Sequence, residues 1–299
     1  MGNNYFGSVR FFKNMILLVV IVLIASSIGM AVYFRRSLDQ TRQELQDINE
    51  RAQALEQQVA EEEEKFSSES PYEELYPDFY APQELNTGTV EDGVIYLTFD
   101  DGPSARTAEI LDILKEKDVK ATFFVVGCSD EAGKALLRRI VDEGHTLAMH
   151  TYSHNYKKIY ASVEDYLADM YQIFTQIREE TGVTPSLFRF PGGSINGYNS
   201  GIYQELITEM LRRGFVPFDW NISSKDAASS KAQPADVLAN NVVTDAKKVS
   251  RGVVLMHDAG AKATTVQALG PVIDQLKDMG FELKALTPDV KPILYGYRN

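Results

Sequence analysis

From Met15 to Phe34 the chain carries no charged residue, and beyond it the apolar positions break into spaced seams and then into short clusters. A helical run of about 20 residues crosses a hydrocarbon core of about 30 Å. Tyr33 and Phe34 suit a membrane interface, and Arg35-Arg36 its far edge. A cleaved signal peptide would use Arg10 and Lys13 as its basic start. The run is long for such a segment and lacks a convincing small-x-small cleavage site. A transmembrane anchor over 15–34 is therefore expected, after a short tail at 1–14. Arg10 and Lys13 on one side against Arg35, Arg36 and Arg42 on the other give no orientation from charge alone.

Leu38, Thr41, Leu45, Ile48, Ala52, Leu55 and Val59 then alternate in spacings of three and four. That pattern predicts a helical stalk or short coiled coil over 37–66, either solvated or forming a weak homodimer. Glu61 to Glu64 interrupt the seam, and Pro71, Pro77 and Pro82 with scattered acids predict an extended linker over 67–93. Tyr72, Tyr76, Phe79 and Tyr80 are candidates to pack on the domain that follows.

From Val94 onward strand-like and helix-like stretches alternate. The predicted order is strand Val94–Leu97, helix Ala105–Lys117, strand Lys120–Val126, a helix near Asp130–Glu143 and strand Thr146–Met149. Helix Val163–Thr181, stopped by Gly182, and strand Leu187–Phe190 come next, then helix Ile202–Arg213 and strand Phe215–Trp220. Helix Pro234–Lys248, strand Val253–Met256, helix Val266–Met279 and strand Phe281–Leu286 complete the series. Repeated strand, crossover, strand units imply parallel strands with helices outside, closed as a barrel or left as an open sheet. A domain over 94–290 and a C-terminal tail at 291–299 are expected.

Composition narrows the function classes. The chain has 299 residues and a formal net charge of -12, from 30 basic and 42 acidic residues. This balance argues against nucleic acid as a partner, since phosphate binding needs a basic footprint. The single cysteine, Cys128, allows no intrachain disulfide and reads as a small strand-end residue.

The candidate chemistry sits where apolar runs stop. Val94-Ile95-Tyr96-Leu97 ends at Thr98-Phe99-Asp100-Asp101-Gly102-Pro103, and two adjacent carboxylates need a cation, a proton or both. His150-Thr151-Tyr152-Ser153-His154, Arg189-Phe190-Pro191-Gly192-Gly193 and Leu255-Met256-His257-Asp258 follow other strand-like runs. Asp101, His150 and His154 offer one carboxylate and two imidazoles, a set suited to a divalent metal with open positions. His145 precedes its strand and reads as structural. The same ligands suit a non-haem iron oxygenase, which has no need of Asp100.

In this order and spacing the four motifs resemble the carbohydrate esterase family 4 polysaccharide deacetylases, which share the NodB homology domain. The resemblance runs from Val94 to Leu286. It implies an α/β fold, a distorted, incomplete (β/α)7 barrel with its chemistry at the C-terminal ends of the strands. It implies that Asp101, His150 and His154 bind the metal, most plausibly zinc, with cobalt, nickel or iron tolerated. Asp100 is implied as the general base toward a water activated by the metal, Arg189 as the group that holds that base charged, and His257 as the general acid toward the departing amine. A backbone N–H at Gly192 is implied for the oxyanion and Leu255 for the acetyl methyl, with Pro191 and Trp220 beside the substrate.

Two departures stand out. Many members carry an aromatic residue where Gly192 stands. The Asp that partners the acidic histidine falls near Ser223, where Asp226, or failing that Asp219, is the replacement expected. The resemblance thus implies metal-dependent hydrolysis of N-acetyl groups on a glycan. The anchor and tether point to a cell-envelope polymer, foremost the N-acetylglucosamine of peptidoglycan, and on that functional ground alone a single-pass membrane protein with its catalytic domain outside the cell is expected. Other substrates within the class are N-acetylmuramic acid, chitin or poly-N-acetylglucosamine, and O-acetylated glycan. A non-catalytic, membrane-tethered glycan-binding protein is the reading from another class.

Overall fold

Strand β1 (Val94–Asp100) is buried along its whole length, because its two faces pack against different cores. Ile95, Leu97 and Phe99 join the layer between sheet and helices, whereas Val94 and Tyr96 join a smaller cluster with Phe124, Ala148, Val253, Leu286, Val290 and Ile293. The alternation of a strand sends successive side chains to opposite faces, so Thr98 and Asp100 continue the inner row. This computed structural model describes residues 9–67, 70–82, 85, 86, 88–229 and 231–296. Most of the expected tail at 1–14, part of the expected linker, the last three residues and the side chain of Val59 lie outside the described residues.

The chain forms two units, 1–68 and 69–299. In the first, α1 (Val9–Ser67) is one unbroken helix of 59 residues. The stretch expected as an anchor and the stretch expected as a stalk are therefore continuous. This helix is long and apolar enough to cross a membrane, a test that an N-terminal signal sequence also passes. The seam residues Leu38, Leu45, Ile48 and Leu55 are exposed in the single chain.

In the second unit β1 is followed by α2 (Ala105–Glu116), β2 (Thr122–Val126), α3 (Glu131–Asp142), β3 (Thr146–Thr151), α4 (Tyr156–Ile159), α5 (Val163–Thr181) and β4 (Leu187–Phe188). Then come α6 (Tyr203–Arg212), β5 (Val216–Pro217), β6 (Ile222–Ser223), α7 (Ala235–Ala246), β7 (Arg251–His257), α8 (Ala263–Asp278) and β8 (Glu282–Lys284). All pairings are parallel, in the order β5-β4-β3-β2-β1-β7-β6. No pairing among the described residues joins β5 to β6, so the curled sheet stays an open half-barrel. The C-terminal segment lies across this gap: Asp219 donates its N–H to Ile293 O (2.8 Å), and Val290 and Ile293 enter the inner core.

Three details differ from the sequence reading. Strand β6 was not among the expected strands, β4 and β5 are, like it, only two residues long, and β8 pairs with the start of β1. Four-residue α4 was not expected. Finally, residues 70–82 are docked rather than extended. Phe79 is buried among Phe174 and Phe215, with ring centroids at 4.9 and 4.7 Å. Arg213, itself buried, donates to the carbonyls of Tyr72 (2.8 Å), Tyr76 (3.2 Å) and Phe79 (3.4 Å). These bonds satisfy backbone that an extended tether would leave to water.

Candidate active site

The inner rows of β1, β3, β4 and β7 each deliver one group to the same end of the half-barrel. Asp100 pairs in register with His257 across β1 and β7, as Thr98 does with Leu255. His150 lies two residues beyond Ala148 on β3, and Arg189 two beyond Leu187 on β4, each on the face that meets the inner core.

Asp101 and His154 stand just past β1 and β3, and both are non-glycine residues in the left-handed region, with φ of 77° and 50°. Such backbone costs about 1–3 kcal/mol where it is held, and it collects at functional sites. Here it is held from several sides. The Gly102 carbonyl accepts from Val126 N (2.7 Å), and Asp100 O accepts from Asp258 N (3.0 Å). In the second loop, the buried Asp169 of α5 accepts from the N–H groups of Tyr152 (2.6 Å) and Ser153 (3.0 Å).

The result is a tight triad. The candidate ligand atoms of Asp101, His150 and His154 all lie within 4.8 Å of one another. His154 Nε2 is 3.1 Å and His150 Nε2 3.5 Å from Asp101 Oδ1, a buried oxygen with no hydrogen-bond partner. His150 Nδ1 donates to Arg189 O (2.8 Å), and since a carbonyl only accepts, Nε2 is left with its lone pair toward Asp101. Burial pushes the His150 imidazole below its usual value, toward the neutral form that a ligand needs. Burial alone would raise the Asp101 carboxyl, but the His154, His150 and His257 rings hold it well below the usual carboxylate range. An orphaned buried carboxylate oxygen facing two imidazoles fits a divalent cation.

Asp100, almost fully buried, sits beside this triad, 3.9 Å from His150 Nε2. Arg189 is fully buried and donates from Nη1 to Asp100 Oδ1 (2.7 Å) and Thr98 Oγ1 (2.7 Å). Its Nε donates to Phe218 O (2.8 Å) and its Nη2 to Asp219 O (3.2 Å), while the guanidinium carbon lies 4.1 Å from the centroid of the Phe124 ring. A planar fork with fixed donors suits this site, and an ammonium could not reproduce it.

At the end of β7, His257 Nδ1 donates to Asp226 Oδ1 (2.7 Å), while Asp226 Oδ2 accepts from His257 N (2.9 Å) and Thr265 Oγ1 (2.8 Å). Burial would lower His257, but Asp226 raises it above its usual value; burial would raise Asp226, and His257 brings it down. Asp219 faces elsewhere, accepting from Ser194 N and Oγ and from Tyr295 N. Leu255 is buried on the inner row, Pro191 O accepts from Tyr160 Oη (2.8 Å), and Trp220 packs edge-on against Tyr295.

Several supporting residues escaped the sequence reading. Thr98 and Asp258 stood inside motifs already singled out, which was the available signal; Asp169 and Thr265 gave none. Asp258 is fully buried under the Asp101 turn. It accepts from Thr107 Oγ1 (2.5 Å), and its carboxyl fills the space that a Cβ at Gly102 would need.

An open parallel half-barrel that gathers a candidate metal triad, an arginine-clamped carboxylate and a carboxylate-backed imidazole at its strand ends is built as an enzyme. The family model described as polysaccharide deacetylase matches residues 87–214. A peptidoglycan-N-acetylglucosamine deacetylase of Bacillus cereus is 37% identical over 225 residues, which cover 74% of this chain and 78% of that one. Among solved structures, the catalytic domain of a peptidoglycan N-acetylglucosamine deacetylase from Eubacterium rectale superposes with a TM-score of 0.67 at 34% identity, over 73% of this chain and 99% of that one. A polysaccharide deacetylase from Bacillus cereus superposes at 0.57 with 35% identity, over 66% and 93%. The chain belongs to the polysaccharide deacetylase family and is a hydrolase that removes acetyl groups from polysaccharide.

Proposed function

We propose that the substrate is the N-acetylglucosamine of peptidoglycan and that the metal is zinc, held by Asp101, His150 and His154. The observation that carries this reading is the orphaned Asp101 Oδ1 between two imidazoles, with Asp100 lying 3.9 Å from one of them. A divalent cation there supplies Lewis acidity, which eases deprotonation of water and polarises a carbonyl oxygen.

The chain's own groups do the rest. Asp100, oriented by its 2.7 Å contact with Arg189, accepts the proton of the attacking water. The acetyl carbonyl carbon becomes tetrahedral as the C–O bond forms, and its C–N bond then breaks. His257 gives its proton to the nitrogen, which departs as the sugar amine while acetate is released. Asp226, which raises the His257 pKa, favours that proton on the ring. Leu255 faces the acetyl methyl, and Pro191, Gly192 and Trp220 border the sugar. The apolar helix anchors the protein through residues 15–34, with the unit 69–299 outside the cell, near the polymer it acts on.

The test is acetate release from peptidoglycan by the full chain in detergent micelles. A chelator is expected to abolish release and zinc to restore it. Mass spectrometry of the digested product reports whether glucosamine or muramic acid has lost its acetyl group. Release that persists in chelator overturns the metal assignment, and product acetyl loss only from muramic acid, or only from chitin oligomers, overturns the substrate.

A further inference from the structure

Gly192 has a φ of 80°, and the space a side chain there would take is already filled. An ideal Cβ would lie 3.0 Å from Tyr156 Cε1 and 3.3 Å from Tyr156 Oη. Tyr156 opens the short helix α4, two residues after His154, and its ring meets the His154 ring edge-on at 5.4 Å. The ring also meets Tyr198, with centroids 5.2 Å apart, and Tyr198 is 56% exposed. The Tyr156 hydroxyl has no hydrogen-bond partner among the described residues, and the ring is only half-buried. The loop against which it stands is fixed independently. Tyr160 Oη and Asn196 Nδ2 both donate to Pro191 O, so Tyr156 is not needed to hold the loop in place.

We propose that Tyr156 is a specificity-determining residue that forms, with Tyr198, an aromatic wall for the pyranose ring beside the one being deacetylated. This rests on the reading that the substrate is an acetylated amino-sugar polymer. A half-buried ring running from a candidate ligand to an exposed tyrosine offers an apolar body and a polar tip. That combination matches a sugar, whose C–H face packs on the aromatic body while its hydroxyls take up the phenol. A side chain at position 192 would occupy the same space, so the glycine and the tyrosine form one unit.

The test uses the full chain in micelles, loaded with zinc, and two probes: the tetramer of N-acetylglucosamine and 4-nitrophenyl acetate, which has no sugar. Tyr156→Ala is expected to weaken tetramer binding in calorimetry and to raise KM about tenfold, the decade to which about 1.4 kcal/mol corresponds. Its kcat is expected to stay within about twofold, and hydrolysis of the ester to be unchanged. Tyr156→Phe, which keeps the ring, is expected to recover most of the KM. A parallel loss of kcat on both probes, or a loss of zinc affinity with tetramer affinity, overturns the proposal, because Tyr156 would then be acting through His154. Unchanged tetramer affinity in Tyr156→Ala, or no tetramer binding by the unsubstituted protein, also overturns it. Tetramer binding that depends on Tyr156 without acetate release supports the wall and overturns the deacetylase reading instead.

Discussion

Replacing Arg189 with methionine keeps most of the aliphatic stem and removes four donated hydrogen bonds, to Asp100, Thr98, Phe218 and Asp219. Asp100 is only 3% exposed, so its carboxylate would be left in the interior without its counter-charge. Breaking one side of a buried ion pair costs about 3–5 kcal/mol. Each carbonyl stranded without a donor adds about 1–3 kcal/mol unless water reaches it. Against a total stability of about 5–15 kcal/mol, Arg189→Met is expected to bring the domain close to unfolding. The decisive comparison is with the double variant Asp100→Asn/Arg189→Met, which removes the stranded charge as well. Urea denaturation followed by tryptophan fluorescence and circular dichroism should place the double variant about 2 kcal/mol or more above the single one, with no deacetylation by either. Equal midpoints for the two would refute the reasoning, since the penalty would then come from lost packing and not from an uncompensated carboxylate.

Two further outcomes follow from the same network. Asp226 holds the His257 pKa up, so Asp226→Asn is expected to lower it; the alkaline limb of the kcat profile then moves to lower pH, because the proton needed by the leaving amine is lost sooner. An unmoved limb would show that another group sets it. Burial, followed by the charges of Asp101 and Asp100, raises the Asp258 carboxyl from 3.8 to about 7. Between those values the folded state keeps a proton that the unfolded chain has released, so stability falls as pH rises. Asp258→Asn in metal-free protein is expected to flatten that fall, regaining part of the ~4 kcal/mol that the interval represents at about 1.4 kcal/mol per pH unit. Thermal melts from pH 4 to 8 measure it, and parallel curves for the two proteins would rule it out.

The strands that bear the chemistry were legible because each apolar run stops at a residue of different chemistry: Asp100 after Leu97 and Phe99, His150 after Met149, His257 after Met256. What stayed hidden lacked a run to read. Strand β6 is two residues long and is set by its pairing with Val254 and Leu255, a tertiary cause with no local signal. The docking of 70–82 depends on Arg213, more than a hundred residues downstream, although the aromatic Phe79 hinted at it. Tyr156 escaped because α4 is a single turn, and its relation to Gly192 exists only once two loops are brought together. Periodicity also could not separate barrel from open sheet, because β1 is apolar on both faces and its inner face is recognisable only from what fills the lumen.

The pairing of Asp100 with His257 in one row of the sheet has a consequence for how this chain tolerates change. A ladder step is quantised: sliding either strand by one position would turn its group outward among the helices, and no intermediate placement exists. The spacing between the proposed proton acceptor and the proposed proton donor is therefore insulated from drift in the connecting loops, which are free to lengthen or be exchanged while the two side chains keep their distance.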